Sequence, residues 1–223
     1  MSRFYPAVIA TVLLASGVAR GEPLAADDIR RAVDNNIDAA VTLYRQFLAL
    51  PNDALQPDDI EALVAWMEGA FGERGFRTQR IPTSGNPALF AERRHDAAAK
   101  TVLVYLQADG QPVDPSAWAQ ADPFVPVLKT RDEQGNWQQL PWEVLDERFD
   151  PDWRVFARSA SDSKGPMTQF MMAVELLDTL DAAPSYNLKV IVDTEEELGS
   201  PNLAAAIRAH RELLAADLLL IFD

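Results

Sequence analysis

Three consecutive glutamates, Glu195, Glu196 and Glu197, stand between the apolar run Leu188 to Val192 and the break Gly199-Ser200-Pro201. The β-branched core of that run, Val190-Ile191-Val192, reads as a strand covered on both faces. Ser200 suits a helix N-cap and Pro201 a first helical turn, so the glutamates fall on the loop leaving the carboxyl end of a strand. Open α/β sheets bind ligands at that edge. Three more acids take comparable positions: Asp109 beyond the strand Thr101 to Leu106, Asp162 between the strand Trp153 to Ala160 and a helix, and Asp223 closing Ala216 to Asp223. Grouped carboxylates serve proton transfer or the holding of a divalent cation. Plainer roles compete, since an acidic triplet is often a solvated loop and a lone aspartate before a helix is often its cap.

Whether these acids meet depends on the elements that carry them. Helical spacing predicts one helix over Asp27 to Leu50 and a second over Asp58 to Arg74, and the runs Phe76 to Pro82 and Ala88 to Arg93 read as strands joined by a Ser-Gly-Asn-Pro turn. An amphipathic helix carrying Phe170, Met171, Val174, Leu177 and Leu180 follows Asp162, and another spans Ser200 to Leu214. Strands alternating with helices give a mostly parallel sheet, whose carboxyl ends share one edge. Like charges about 4 Å apart repel by about 4 kcal/mol at an effective dielectric near 20, which a divalent metal between them would relieve. The spacing leaves open the alternative that strand order keeps the acids apart.

Composition narrows the classes of partner. The chain has 223 residues, 48% of them hydrophobic, enough for one sizeable α/β domain. A net charge of -14 disfavours nucleic acid and anionic membranes, and the absence of cysteine excludes disulfides and thiolate ligands. There are two histidines: His95 reads as a solvated loop residue, and His210 lies among Arg208, Arg211 and Glu212 on an exposed helix face. At the N-terminus, Arg3, the apolar stretch Ala7 to Val18 and the small residues of Ala19-Arg20-Gly21 read as a signal peptide over residues 1–21. Export, periplasmic or secreted, is the expectation, with the mature chain starting near Glu22 and no membrane association after cleavage. The stretch Val113 to Asp152, rich in Pro and Trp, reads as a long irregular insertion, anchored by Trp118, Phe124, Trp137 and Trp142.

Read in order, Asp109-Gly110-Gln111-Pro112, Trp118, Asp122-Pro123-Phe124, the run Arg158 to Pro166 (RSASDSKGP) and the run Glu196 to Asn202 (EELGSPN) resemble the dinuclear zinc exopeptidase and amidohydrolase family. That family includes carnosinases, aminoacylases, acetylornithine deacetylases, succinyl-diaminopimelate desuccinylases and glutamate carboxypeptidases. The resemblance implies a three-layer αβα fold of the zinc-dependent exopeptidase type with a mostly parallel sheet. Residues 22–223 would be the N-terminal part of the catalytic domain, truncated before a lid or dimerisation domain.

The same resemblance implies two zinc ions, with cobalt or manganese as alternatives. Asp162 matches the bridging carboxylate, Glu197 a ligand of one metal, Asp223 a ligand of the other, Glu196 the general base and Asp109 the acid that orients the first ligand. Gln107 stands where the family has a histidine ligand, and its amide oxygen is a neutral donor. Neither His95 nor His210 matches a ligand position. The implied activity is hydrolysis of a peptide or acyl-amide bond in a small peptide or N-acyl amino acid, by a metal-bridging water that Glu196 deprotonates. The alternative is an inactive truncated remnant that binds a metal or small ligand without turnover, and Gln107 and the expected truncation favour it.

Overall fold

Alternate residues of the central strands face opposite helical layers, and that alternation builds the molecule. Val104, Leu106, Val190 and Val192 pack on one side of the sheet, while Leu103, Tyr105 and Ile191 pack on the other. The computed structural model describes residues 24–182 and 184–222. The signal segment expected over residues 1–21 and the site candidate Asp223 both lie outside the described residues.

The five-stranded sheet has the order β1-β2-β7-β3-β8, from β1 (Arg77–Ile81), β2 (Ala88–Arg93), β7 (Asn187–Asp193), β3 (Thr101–Gln107) and β8 (Leu218–Ile221). β3 runs parallel to both β7 and β8, and β2 runs against its neighbours, so the sheet is mostly parallel. Helices α2 (Ile37–Leu48), α3 (Pro57–Glu73) and α4 (Lys164–Thr179) cover one face. Their buried side chains include Phe47, Ile60, Leu63, Met67, Phe71, Met167 and Met171, each fully enclosed. Burying a side chain of that size contributes about 1.5–3 kcal/mol. The opposite face is thinner, with α5 (Leu203–Ala209) setting Leu203 and Ala206 near Ile81, Phe90 and Ile191. This is the three-layer αβα arrangement expected from the sequence.

Three elements differ in kind from the sequence expectation, and the helix expected over Ser200 to Leu214 is shorter, Leu203–Ala209, with Asn202 and not Ser200 at its N-cap. The helix read over Asp27 to Leu50 is two, α1 (Ala26–Asn35) and α2, because the chain leaves helical geometry at Asn36 (φ -118°, ψ 11°). The Asn36 side chain donates to the Ala32 carbonyl at 2.8 Å, the local competition with the helical ladder that asparagine offers. The insertion is not irregular throughout: β4 (Val127–Arg131) and β5 (Trp137–Leu140) form a hairpin, turned at Gly135 with φ 84°. Asp132 closes that turn by accepting the Gln134 and Asn136 N–H groups at 3.0 and 2.8 Å.

The third difference bears on the site. The strand read over Trp153 to Ala160 is only β6 (Arg154–Phe156), and it pairs with β4 in a separate sheet of order β5-β4-β6. Asp162 therefore does not leave a strand of the central sheet. A short polar-apolar alternation carries no information about which sheet will accept it.

Candidate active site

The parallel register of β3 and β7 pairs Gln107 with Asp193, so the loops that follow the two strands leave side by side. Asp109, only 2% exposed, spans the gap. Its carboxylate accepts the Glu196 N–H at 3.1 Å and the Glu197 N–H at 3.0 Å. Burial pushes its carboxyl up to about 7, against the downward pull of those amide donors. The next residue must be small, because a Cβ on Gly110 would stand 2.4 Å from Ser159 Oγ. Asn52 locks the turn from beneath: its carbonyl accepts the Gly110 N–H at 2.7 Å, and its Nδ2 donates to the Ala108 carbonyl at 2.8 Å and to Ser159 Oγ at 3.0 Å.

The three glutamates separate into two kinds. Glu195 is buried, and its carboxylate accepts the Asn86 N–H at 3.0 Å and the Asn202 amide at 2.6 Å. It ties the β1–β2 turn and the approach to α5 to the loop. Glu196 and Glu197 are half-buried at the mouth, and Glu197 accepts the Gln111 amide at 2.9 Å. Asp193 holds the loop's start by accepting the Glu195 N–H at 3.0 Å and the Ser200 hydroxyl at 2.6 Å.

Gln107, 5% exposed, has an Oε1 without a hydrogen-bond partner among the described residues. An unpaired buried acceptor costs about 1–3 kcal/mol unless a donor or cation meets it. Asp162 reaches the neighbourhood by another route than expected. Its segment is docked on the β3 exit, with the Ser163 hydroxyl donating to the Gln107 carbonyl at 2.7 Å. Its side chain is exposed and lines an open groove of about 970 Å³ between α2 and α4, with Tyr44, Arg154 and Phe222. Lys164 anchors this segment: it is fully buried, donates to the Leu50 carbonyl and lies 5.3 Å from the Phe47 ring centroid.

The edge thus brings Gln107, Asp109, Glu196 and Glu197 together, and sets the Asp162 backbone beside them. Among the described residues, no group of three or more His, Asp or Glu is placed to hold a metal ion. The donors here are oxygen alone, with no imidazole, and zinc sites ordinarily use three protein ligands even when open. The described residues do not fit a two-zinc centre by themselves. Sequence reasoning missed Asn52 and the structural part of Glu195. A polar Asn-Asp pair directly after Pro51 was the available signal for the first; nothing in an acidic triplet marks which member is buried.

In sequence and fold this chain is similar to M20 family metallopeptidases, of which it matches a part. The matches include dipeptidases, a carboxypeptidase and a succinyl-diaminopimelate desuccinylase. The chain is 25% identical over 215 residues to the Cys-Gly metallodipeptidase of Schizosaccharomyces pombe, matching 88% of this chain and 40% of that one. It is 23% identical over 206 residues to human Beta-Ala-His dipeptidase, matching 85% of this chain and 36% of that one. Among solved structures, the M20 family metallo-carboxypeptidase Sso-CP2 of Sulfolobus solfataricus superposes with a TM-score of 0.63 at 28% identity, over 82% of this chain and 37% of that one. Human carnosine dipeptidase 1 shares the fold, with a TM-score of 0.70 at 22% identity, over 88% and 41% of the two chains. No protein-family profile matches. The chain spans about two fifths of the length of the curated relatives it matches.

Proposed function

We propose that this chain supplies the carboxyl-edge half of a metal-dependent hydrolase that cleaves peptide or acyl-amide bonds in small peptides or N-acyl amino acids. The observation that carries the reading is the Asp109 carboxylate taking both the Glu196 and the Glu197 N–H groups, since it fixes two neighbouring carboxylates at a strand exit. Glu196 is the proton acceptor for the attacking water and later the donor to the leaving amine. Glu197, Asp162, Asp223 and Gln107 are the candidate metal donors, with zinc the candidate ion. Export belongs to the same reading, with a mature N-terminus near Glu22 that N-terminal sequencing of secreted material would reveal.

A second reading, binding without turnover, is favoured by Gln107 and by the lack of a three-residue ligand group among the described residues. One experiment separates them. The protein is isolated from its own cells at whatever length it occurs there, analysed for metal, and assayed on dipeptides and N-acyl amino acids with zinc, cobalt or manganese added. Hydrolysis that falls at least about a hundredfold in Glu196→Gln with metal retained, and metal lost in Glu197→Gln, supports the hydrolase. Tight zinc binding with no hydrolysis supports the second reading. Titration calorimetry of Gln107→His should show tighter zinc binding than the natural chain, because an imidazole replaces a neutral amide oxygen.

A further inference from the structure

A dipeptide or N-acyl amino acid brings a carboxylate to an edge that already holds Asp109, Glu196 and Glu197, on a chain of net charge -14. Such a ligand needs a cation that the fold has not already neutralised. Several candidates are committed elsewhere. Arg74, Arg80, Arg93, Arg94 and Lys100 pair with Glu175, Glu61 and Glu68, Asp178, Glu92 and Asp217 respectively. Lys189 donates to the Leu213 and Ala215 carbonyls, and Lys164 is buried on the Leu50 carbonyl.

Arg158 differs from these. No carboxylate of the described residues lies within ion-pairing distance of it. Its Nη2 makes a long hydrogen bond, 3.2 Å, to the Pro112 carbonyl, and its Nε is buried without an acceptor. The guanidinium carbon lies 5.6 Å from the Trp118 ring centroid, a position that holds the head in place while leaving its charge intact. Two backbone features fix the stem. The Arg158 N–H donates to the Pro123 carbonyl at 2.8 Å, and Ser159 adopts φ 59°, a left-handed conformation that a non-glycine residue takes only when its surroundings impose it. Those surroundings are Asn52 and Gly110, so the same contacts that lock the β3 exit also aim Arg158. Pro112, which its head touches, directly follows Gln111, whose amide holds Glu197.

We propose that Arg158, seated on Trp118, receives the free carboxylate of the ligand bound at this edge. The proposal rests on reading the edge as a site for peptides or N-acyl amino acids, and it adds which end of the ligand is recognised and by what. A guanidinium binds a carboxylate through paired N–H groups and keeps its charge at any relevant pH, which suits selection of an acid over its amide.

The test compares N-acetylalanine with N-acetylalaninamide by titration calorimetry on the full chain, with zinc present. The natural protein should bind the acid at least about tenfold more tightly than the amide. Arg158→Met, which keeps the stem, should bring the acid down to the affinity of the amide and leave the amide unchanged; Arg158→Lys should keep part of the preference. Urea unfolding of each variant checks that the fold is retained, and if Arg158→Met does not fold, the Arg158→Lys result decides. An acid preference that survives in Arg158→Met, or that is undiminished in Arg158→Lys, overturns the proposal. Equal affinity for both ligands in the natural protein overturns it while leaving the hydrolase reading standing. Binding of neither overturns both.

Discussion

Lys164 shows how one side chain can tie the candidate site to the core. Two residues after Asp162, it begins α4 with its ammonium enclosed between the Phe47 and Phe124 rings, at 5.3 and 5.8 Å from their centroids. Burial pulls its pKa down to about 7, opposed by attraction to Asp59. A lysine lowered on folding binds fewer protons in the native than in the unfolded chain between the two values. Its contribution to stability is therefore complete above the unfolded pKa of 10.5 and is lost as pH falls towards 7. From pH 7 to 9 the unfolding free energy of the natural chain should rise relative to Lys164→Met by up to about 1.4 kcal/mol per pH unit. Urea unfolding at several pH values measures it, and parallel pH profiles for the two proteins would contradict it. At this scale the sequence showed the acids and their spacing, which is why Asp109, Glu196 and Glu197 were recognisable. It hid Glu195, because its partners Asn86 and Asn202 come from other loops and a buried carboxylate is spelled like a solvated one.

Elements were legible where a pattern is long and self-consistent. The stripe of α3 and the β-branched runs of β3 and β7 each bury the face their periodicity marks. Short or mixed runs were not legible, as β6 shows: it is a strand, in the wrong sheet for the role first given to it. Tight loop junctions carry the element-scale prediction. The β1–β2 turn sits directly on Glu195, and a Cβ at Gly85 would stand 2.1 Å from Glu195 Oε1. Gly85→Ala should therefore destabilise the protein by about 1–3 kcal/mol through overpacking. Glu195→Ala should cost at least about 1.5 kcal/mol, the lower scale of a hydrogen bond to a charged group. Because Glu195→Ala also removes the atom that Gly85→Ala would strike, the double variant should lose less than the sum. Strict additivity in denaturant titrations would show that the turn relaxes away from Glu195 freely.

For the whole molecule, the charge imbalance outweighs its surface ion pairs. Exposed pairs such as Lys100 with Asp217 are screened by solvent and contribute little, whereas a net charge of -14 repels itself throughout the folded volume. Raising sodium chloride from about 0.02 to about 0.5 M shortens the screening length well below molecular size and should raise Tm. Scanning calorimetry measures this, and a fall in Tm would mean that the attractive pairs dominate. The tie made by Glu195 has its own consequence at this scale. By joining the glutamate loop to the β1–β2 turn and to the start of α5, it makes the loop part of the sheet's cooperative unit. In deuterium exchange the Glu196 and Glu197 amides should then open only with the central strands, while the β4–β5 hairpin exchanges earlier. Chemistry at this edge would run on a fixed floor.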